Sequence, residues 1–447
     1  MIRTQEKFRD QRILIWGYGR EGKSTERFLR EYCAPAVLDV YEGARDGVRD
    51  AAYDYIFVSP GIKFEEDAPA FDNAKFTSQT QVFLEEFGAQ TVGITGTKGK
   101  STTCSLLYTA LSACSGRKTF LMGNIGKPCF DYLAEMDEES IAVFELSCHQ
   151  CQRLQAAPHT AVFLNLYGDH LDRYVTMEHY FQAKAGITRA QTQGDYLLLG
   201  QNVPDIATKA QKIRVLPEGP ERSGEDDAYV NIGPGEGTAP AVFRDIEHFA
   251  LRIPGEHNQY NARFVYEIAV NLYGCDDAAV RAAMAEFAGL PHRLEHVGCY
   301  DGVDYFDDSI STIPQAAIQA VTSVPHVKTV LVGGMDRGVD YCPLEDFIRT
   351  HPDITFLLAY ASGERILKEL CGGTGKNSCD SSGGESSAPA NAIYLADLEA
   401  QVAMARRITP PGSAVVMSNA AASYGYFRDF EERGDIFQTL VRGSFYQ

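Results

Sequence analysis

V-G-I-T-G-T-K-G-K-S-T-T, from Val92 to Thr103, is the stretch around which the chain is organised. An apolar β-type run, Thr91 to Thr95, breaks into Gly96-Thr97-Lys98-Gly99-Lys100-Ser101-Thr102-Thr103, and a helical pattern, C-S-L-L-Y-T-A-L-S-A-C, follows. A strand, a glycine turn, a lysine, a hydroxyl pair and a helix together make a phosphate cradle. Glycines let backbone N–H groups close on phosphate oxygens, and the helix N-terminus adds positive potential. Lys100 can reach terminal phosphates, and the Ser101 and Thr102 hydroxyls can hold Mg²⁺. The spacing departs from G-x-x-x-x-G-K-[ST], because Ile94 stands where the first glycine belongs. The competing reading is a glycine-rich turn with a solvated lysine pair; the flanking strand and helix favour phosphate.

Upstream, a β run from Arg12 to Trp16 leads into G-Y-G-R-E-G, Gly17 to Gly22, and then a helical stretch to Tyr32. This is G-x-G-x-x-G after a strand, a Rossmann-like start. A short strand, Ala36 to Val40, carries Asp39 near its end, and a third, Tyr53 to Ser59, runs into Ser59-Pro60-Gly61. At roughly 90 residues the unit is short for a six-strand dinucleotide domain, so it reads as a nucleotide-diphosphate site rather than a redox one. A tight strand–helix turn without a ligand is the alternative for these glycines.

Downstream, β and α patterns alternate. Ile141 to Leu146 is a buried strand carrying Glu145 at its end, and Thr160 to Leu166 is another, followed by Gly168-Asp169-His170. Lys184 lies on the helix after that. Strand ends of one parallel sheet converge on the edge that also holds the phosphate loop. Glu145 there suits Mg²⁺, which takes one or two carboxylates plus phosphate. His170 fits either a ligand or a local hydrogen-bonding role, and Lys184 by itself reads as a solvated helix lysine. Cys148-His149-Gln150-Cys151 has no second cysteine pair at zinc spacing and reads as packed thiols. Pro217 to Pro240 reads as a surface loop or hairpin. A boundary near Gly289-Leu290-Pro291 opens a third α/β unit, with strands around Tyr305–Asp307, Thr329–Gly333, Thr355–Ala359 and Ala414–Met417 and a low-complexity insertion, Gly372 to Ala390, that reads as mobile.

The 447 residues correspond to about two to four domains. A net charge of −19 argues against general nucleic-acid or anionic-membrane binding. The N-terminus lacks a signal-peptide core, no run reaches membrane-spanning length, and the 11 scattered cysteines suit a reducing compartment. A cytoplasmic enzyme is expected.

Further motifs complete an ordered set: Gly123-Asn124-Ile125-Gly126, Glu145-Leu146-Ser147, Gly255-Glu256-His257-Asn258-Gln259-Tyr260-Asn261, Leu290-Pro291-His292-Arg293-Leu294-Glu295, Asp308-Ser309, Gly333-Gly334, and Ser423 ahead of Phe430-Glu431-Glu432-Arg433-Gly434-Asp435. Over essentially its whole length the chain resembles the Mur ligases, ATP-dependent peptide-bond formers of peptidoglycan precursor synthesis, and most of all their glutamate-adding branch. The resemblance implies an α/β chain of three domains: a Rossmann-like UDP-sugar domain over 1–89, a central P-loop ATPase domain with a parallel sheet over 90–289, and a C-terminal Rossmann-like glutamate domain over 290–447. It implies that Gly96, Thr97, Lys98, Gly99, Lys100, Ser101 and Thr102 hold ATP, joined by Asn258, Asn261, Arg293 and Asp308. Two Mg²⁺ would be held by Ser101, Thr102, Glu145, His170 and Lys184, the last as a carbamate, which replaces the solvated reading. Asn124 would approach the acyl substrate, and Lys100, Asn124, His170 and Lys184 would form the catalytic set. Gly17, Gly19, Gly22, Asp39, Ser59 and Gly61 would hold the UDP-sugar; Thr312, Arg337, Ser423 and Phe430 would hold glutamate.

The implied reaction is ATP-dependent addition of D-glutamate to UDP-N-acetylmuramoyl-L-alanine by a monomer with small-molecule partners only. One departure bears on stereochemistry. Where D-glutamate enzymes read D-S-K-A-T-N, this chain has Asp308-Ser309-Ile310-Ser311-Thr312-Ile313. Ile310 removes a cationic donor, and a D-S-I-S-T reading is associated with L-glutamate addition. Arg337 stands where the family places a lysine, keeping charge but changing donor geometry. A folylpolyglutamate-type ligase shares the ATP chemistry but would lack the front domain.

Overall fold

Among the described residues, three sheets carry the architecture. The computed structural model describes residues 3–44, 47–63, 75–168, 171–216, 248–372 and 389–443. Pro217–Pro240, His170, and Gly372–Ala390 except for its ends lie outside the described residues. The first sheet is β1 (Arg12–Trp16), β2 (Val37–Tyr41), β3 (Tyr55–Val58) and β4 (Phe76–Thr77), all parallel in the order β2-β1-β3-β4. The second is β5 (Thr91–Thr95), β6 (Thr119–Gly123), β7 (Ile141–Glu145), β8 (Thr160–Phe163), β9 (Tyr196–Leu199) and β10 (Gln211–Arg214), all parallel in the order β10-β9-β8-β5-β7-β6. The third is β11 (Glu295–Tyr300), β12 (Val303–Asp307), β13 (Val327–Gly333), β14 (Thr355–Ala359), β15 (Ala392–Leu395) and β16 (Ala414–Met417). Its order is β11-β12-β16-β13-β14-β15, parallel but for the antiparallel pair β11–β12.

Local sequence explains which strands were legible. Every residue of β5, β7, β8 and β16 is buried, as expected of parallel strands covered on both faces, and each reads as an unbroken apolar run. β11 and β15 are edge strands that the sequence reading omitted. In β11 only Val297 is buried, and the register shifts between His296 and Gly298, so no apolar alternation marks it. Three described residues, 389–391, separate β15 from the undescribed insertion.

The chain divides into two compact units, Met1–Leu251 with Glu256–Phe287, and Arg252–Gly255 with Ala288–Gln447. The first unit contains two sheets because one core runs through both. Phe130, from the second sheet's side, meets Phe28 at 4.9 Å and Phe57 at 6.0 Å between ring centroids, and Phe83 meets Phe144 at 5.5 Å. Truncating such a buried ring costs about 3–5 kcal/mol. Polar ties reinforce the join: Ser24 and Arg27 both donate to Asp131, at 2.7 and 2.8 Å, and Arg20 Nη2 donates to Gly126 O at 2.6 Å. In the second unit, apolar clusters lie on both faces of the third sheet, one built on Val330, Val332, Phe356 and Val416, the other on Leu331, Leu357, Val415 and Met417. No described helix is long and apolar enough to cross a membrane.

Candidate active site

Register brings the phosphate loop to the other strand ends. β5 pairs Ile94 with Glu145 of β7, and Thr95 with Phe163 of β8. The loop that begins at Gly96 therefore emerges between Glu145 and the segment carrying Asn165. Asn165 fixes the loop's first half: its Oδ1 accepts from Thr97 N and Lys98 N, and its Nδ2 donates to Lys98 O. The second half opens the helix Lys100–Cys114, whose N-terminus no side chain caps. The first-turn N–H groups are those a phosphate takes. Gly99, at φ +82°, permits the turn, and a Cβ there would stand 2.7 Å from Asn261 Oδ1. Asn261, buried on the helix Glu256–Tyr266, thus lies against the loop, and its Nδ2 donates to the Oδ1 of Asn258, buried one turn earlier on the same helix.

Lys100 Nζ folds back onto Gly96 O and Thr97 O, 3.0 Å from each. Lys184 is no solvated lysine. It is 1% exposed, its Nζ donates to Gly96 O at 2.7 Å, and it lies over the Tyr180 ring at 4.7 Å. Both ammonium groups therefore meet at one loop carbonyl. Glu145 is buried at the adjacent strand end. Its Oε1 accepts from Asn124 Nδ2 at 2.9 Å, while Oε2 is buried with no hydrogen-bond partner among the described residues. A buried bare carboxylate oxygen beside a phosphate loop suits a hard cation, and Ser101 and Thr102 supply neighbouring hydroxyls. His170 lies outside the described residues.

The first sheet's strand ends form a cleft of about 310 Å³ lined by Gly17, Gly19, Ser59 and Gly61, with Arg20, Glu21 and Asn124. Ser59 Oγ donates to Gly17 O at 2.7 Å, and a Cβ on Gly22 would come within 2.3 Å of the same oxygen, so this glycine seats the helix on the turn. Asp39 stands differently from the reading. β2 continues to Tyr41, so Asp39 is mid-strand, paired with Leu14, and its carboxylate accepts from Tyr53 Oη at 2.8 Å. Sequence reasoning passed over Arg20, Glu21 and Arg173. Burial pushes the Glu21 carboxyl up to about 7, and it accepts from Gln150 Nε2 at 2.7 Å. Arg173 Nη2 donates to Pro60 O and Ile62 O, holding the Ser59-Pro60-Gly61 turn. Arg20 and Glu21 stand inside G-Y-G-R-E-G, a motif whose signal lies in its glycines. Cys148 and Cys151 are buried free thiols.

In the second unit, β12, β16 and β13 are neighbours, and their C-terminal ends carry Asp308 to Thr312, Asn419 to Ser423, and Gly333 to Arg337 respectively. Arg433 ties the three together. Its fully buried guanidinium donates to Ser309 O and Oγ, to Ala421 O and to Gly333 O. Burial pushes it down to about 10. Phe430, one turn earlier on the same helix, accepts from Ser309 Oγ through its carbonyl. Asp308 is nearly saturated: Oδ1 accepts from Leu294 N, and Oδ2 from Ser311 Oγ and Ser418 Oγ. Burial raises it to about 6 against those bonds and the nearby Arg293. His292, Glu295 and Asp307 cluster closely enough to hold a cation. However, Gln438 Nε2 donates to both carboxylates and His292 Nδ1 faces Asp307 at 2.7 Å, so the cluster is a hydrogen-bonded strut.

A family profile described as the Mur ligase middle domain matches residues 94–269. The chain is 32% identical to a UDP-N-acetylmuramoylalanine–D-glutamate ligase of Symbiobacterium thermophilum, over 88% of this chain and 84% of that one. It is 31% identical to a protein of the same name from Geotalea uraniireducens over 97% of each. A UDP-N-acetylmuramoyl-L-alanine–L-glutamate ligase of Salinispora tropica is 32% identical over 98% of each chain. Among solved structures, the UDP-N-acetylmuramate-alanine ligase of Thermotoga maritima shares the fold, with a TM-score of 0.55 at 16% identity, covering 97% of this chain and all of that one. With its phosphate loop, bare carboxylate and buried lysine at one sheet edge, this chain belongs to the Mur ligase family.

Proposed function

We propose that the chain joins D-glutamate to UDP-N-acetylmuramoyl-L-alanine with cleavage of ATP to ADP and phosphate, in peptidoglycan precursor synthesis. The observation that carries this reading is the convergence of Lys100, Lys184 and the unpartnered Glu145 Oε2 on the loop after β5. The relatives named for D-glutamate, similar over most of their length, support the choice of substrates. The first sheet, over 1–89, serves the UDP-sugar; the second, over 90–289, serves ATP; the third, over 290–447, serves glutamate.

The loop N–H groups and Lys100 bind the β- and γ-phosphates. Asn124 orients the substrate carboxylate, one oxygen of which attacks the γ-phosphorus; the bond to ADP breaks and an acyl phosphate forms. The glutamate amine then attacks the acyl carbon, its nitrogen sheds a proton, and phosphate leaves. Glu145, with the Ser101 and Thr102 hydroxyls, His170 and a carbamylated Lys184, would hold Mg²⁺. When bound, Mg²⁺ neutralises phosphate charge. The protein's contribution is positioning and charge neutralisation around a polyanionic transition state. Thr312, Arg337, Ser423 and Phe430 receive glutamate; three of the four stand on the loops that Arg433 ties together, which supports this assignment.

ADP release, measured with UDP-N-acetylmuramoyl-L-alanine and either D- or L-glutamate, tests the reading. Turnover with D-glutamate is expected. Silence with both enantiomers rejects the substrate assignment, and preference for L-glutamate, the outcome that Ile310 makes worth measuring, overturns its stereochemical half.

A further inference from the structure

Arg337, the residue assigned above to the glutamate carboxylate, is exposed on the loop that follows β13. A long side chain on a loop loses much of its binding energy to ordering unless the loop is held beforehand. The loop is held at three places. Its base is pinned by Gly334 N donating to Ser362 Oγ at 2.8 Å and by Met335 N donating to Ala422 O at 2.8 Å, one residue from Ser423. Its tip is a tight turn in which Asp336 Oδ1 accepts from Gly338 N at 2.9 Å, with Gly338 at φ +71°. Arg337 is the residue between them.

The same Asp336 oxygen accepts from Arg365 Nη1 at 3.0 Å. Arg365, on the helix Tyr360–Leu370, sends its Nε to Glu369 Oε1 at 2.9 Å and lays its guanidinium over the Tyr341 ring at 5.2 Å. Tyr341 is itself buried where the loop ends and the next helix, Cys342–Thr350, begins. Arg365 thus touches both ends of the Asp336–Tyr341 segment from a rigid helix. It is partly buried, at 21% side-chain exposure, and both of its bonds are charge-assisted, unlike the exposed pairs whose contribution is small.

We propose that Arg365, acting through Asp336, is a positioning residue for the incoming amino acid: it clamps the Asp336–Tyr341 loop so that Arg337 is presented to the substrate carboxylate. This rests on the assignment of Arg337 made above. Arg365 touches no substrate, so its loss should weaken glutamate binding while leaving the chemical step in place.

The test is steady-state kinetics on the full chain with glutamate varied at saturating ATP and UDP-N-acetylmuramoyl-L-alanine. Arg365→Ala and Asp336→Ala are each expected to raise KM for glutamate about tenfold, with kcat and the other two KM values within about threefold of the parent. Asp336→Asn, whose carbonyl can still accept both hydrogen bonds, should return KM to near the parent value. In an Arg337→Ala background, Arg365→Ala should add nothing further. If Arg337→Ala raises KM and neither Asp336→Ala nor Arg365→Ala does, the clamp is rejected and the glutamate assignment stands. An equal rise from Arg365→Ala with and without Arg337 also rejects the clamp. If Arg337→Ala leaves KM unchanged, both fall.

Discussion

The loop after β5 and the loops at the C-terminal edge of the third sheet present the side chains proposed above for ATP and for glutamate in opposite ways. The phosphate loop is one contiguous segment. Glycines, lysine, hydroxyls and helix start are adjacent in the chain, and Asn165, Tyr167 and Lys184 brace that segment from outside. At the third sheet, Thr312, Arg337 and Ser423 come from three strand ends, and nothing local holds them together. A buried guanidinium does, reaching Ser309, Gly333 and Ala421 from a helix near the end of the chain. A phosphate can be taken by consecutive backbone N–H groups; an amino acid of defined handedness has to be met from several directions at once.

If the phosphate loop is self-contained, one side chain should break it. Lys100→Ala is expected to lower ATP-dependent phosphate release at least a thousandfold while leaving thermal unfolding unchanged; retained turnover would mean the loop does not hold ATP. Lys184→Arg sharpens the same point. It keeps the charge beside Gly96 O but should not form the same carbamate, so a loss of about a hundredfold is expected, and near-normal activity would make Lys184 a structural residue.

The third sheet should break through stability first. Arg433→Met removes the guanidinium donor from the carbonyls of Ser309 and Ala421, while Gly333 O keeps its bond from Asn419 Nδ2, and is expected to cost about 3 kcal/mol in urea unfolding. An unchanged midpoint would show that the three loops are held by their other contacts, such as Met335 N on Ala422 O and Ser418 Oγ on Asp308, without Arg433.

The smallest expected effect lies in the first sheet. Burial raises Glu21 to about 7, above its ordinary value of 4.5. Between those values the folded protein keeps a proton that the unfolded chain releases, so stability falls as pH rises through that window. Glu21→Gln removes the dependence and can still accept from Gln150. Its melting temperature should exceed the parent's at pH 8 by a few degrees, with the difference shrinking towards pH 4.5. A difference that grows on acidification would contradict the burial argument.

Legibility followed the same division. β5, β7, β8 and β16 were readable because strands buried on both faces must be continuously apolar, whereas β11, with one buried residue, carried no pattern to read. Glu145 could be assigned because an acid closing an apolar strand is conspicuous. Lys184 could not be assigned from the residues themselves, since a lysine late in a helix is ordinarily solvated; only its contact with Gly96 O, across 88 residues of chain, makes it part of the site. Asp39, near the end of a strand read as Ala36–Val40, sits mid-strand in Val37–Tyr41, and its carboxylate accepts from Tyr53 Oη.

By itself, then, the sequence determined the elements whose physics is local: the phosphate loop, the Rossmann-like turn, the apolar strands and the family. The tertiary structure decided what depends on distant groups meeting. It joined the first two sheets through one aromatic core, left Glu145 Oε2 bare beside the loop, and closed three strand ends around Arg433. Backbone turns and periodicity are set by neighbours in the chain; a buried charge takes its meaning from whatever the fold brings against it.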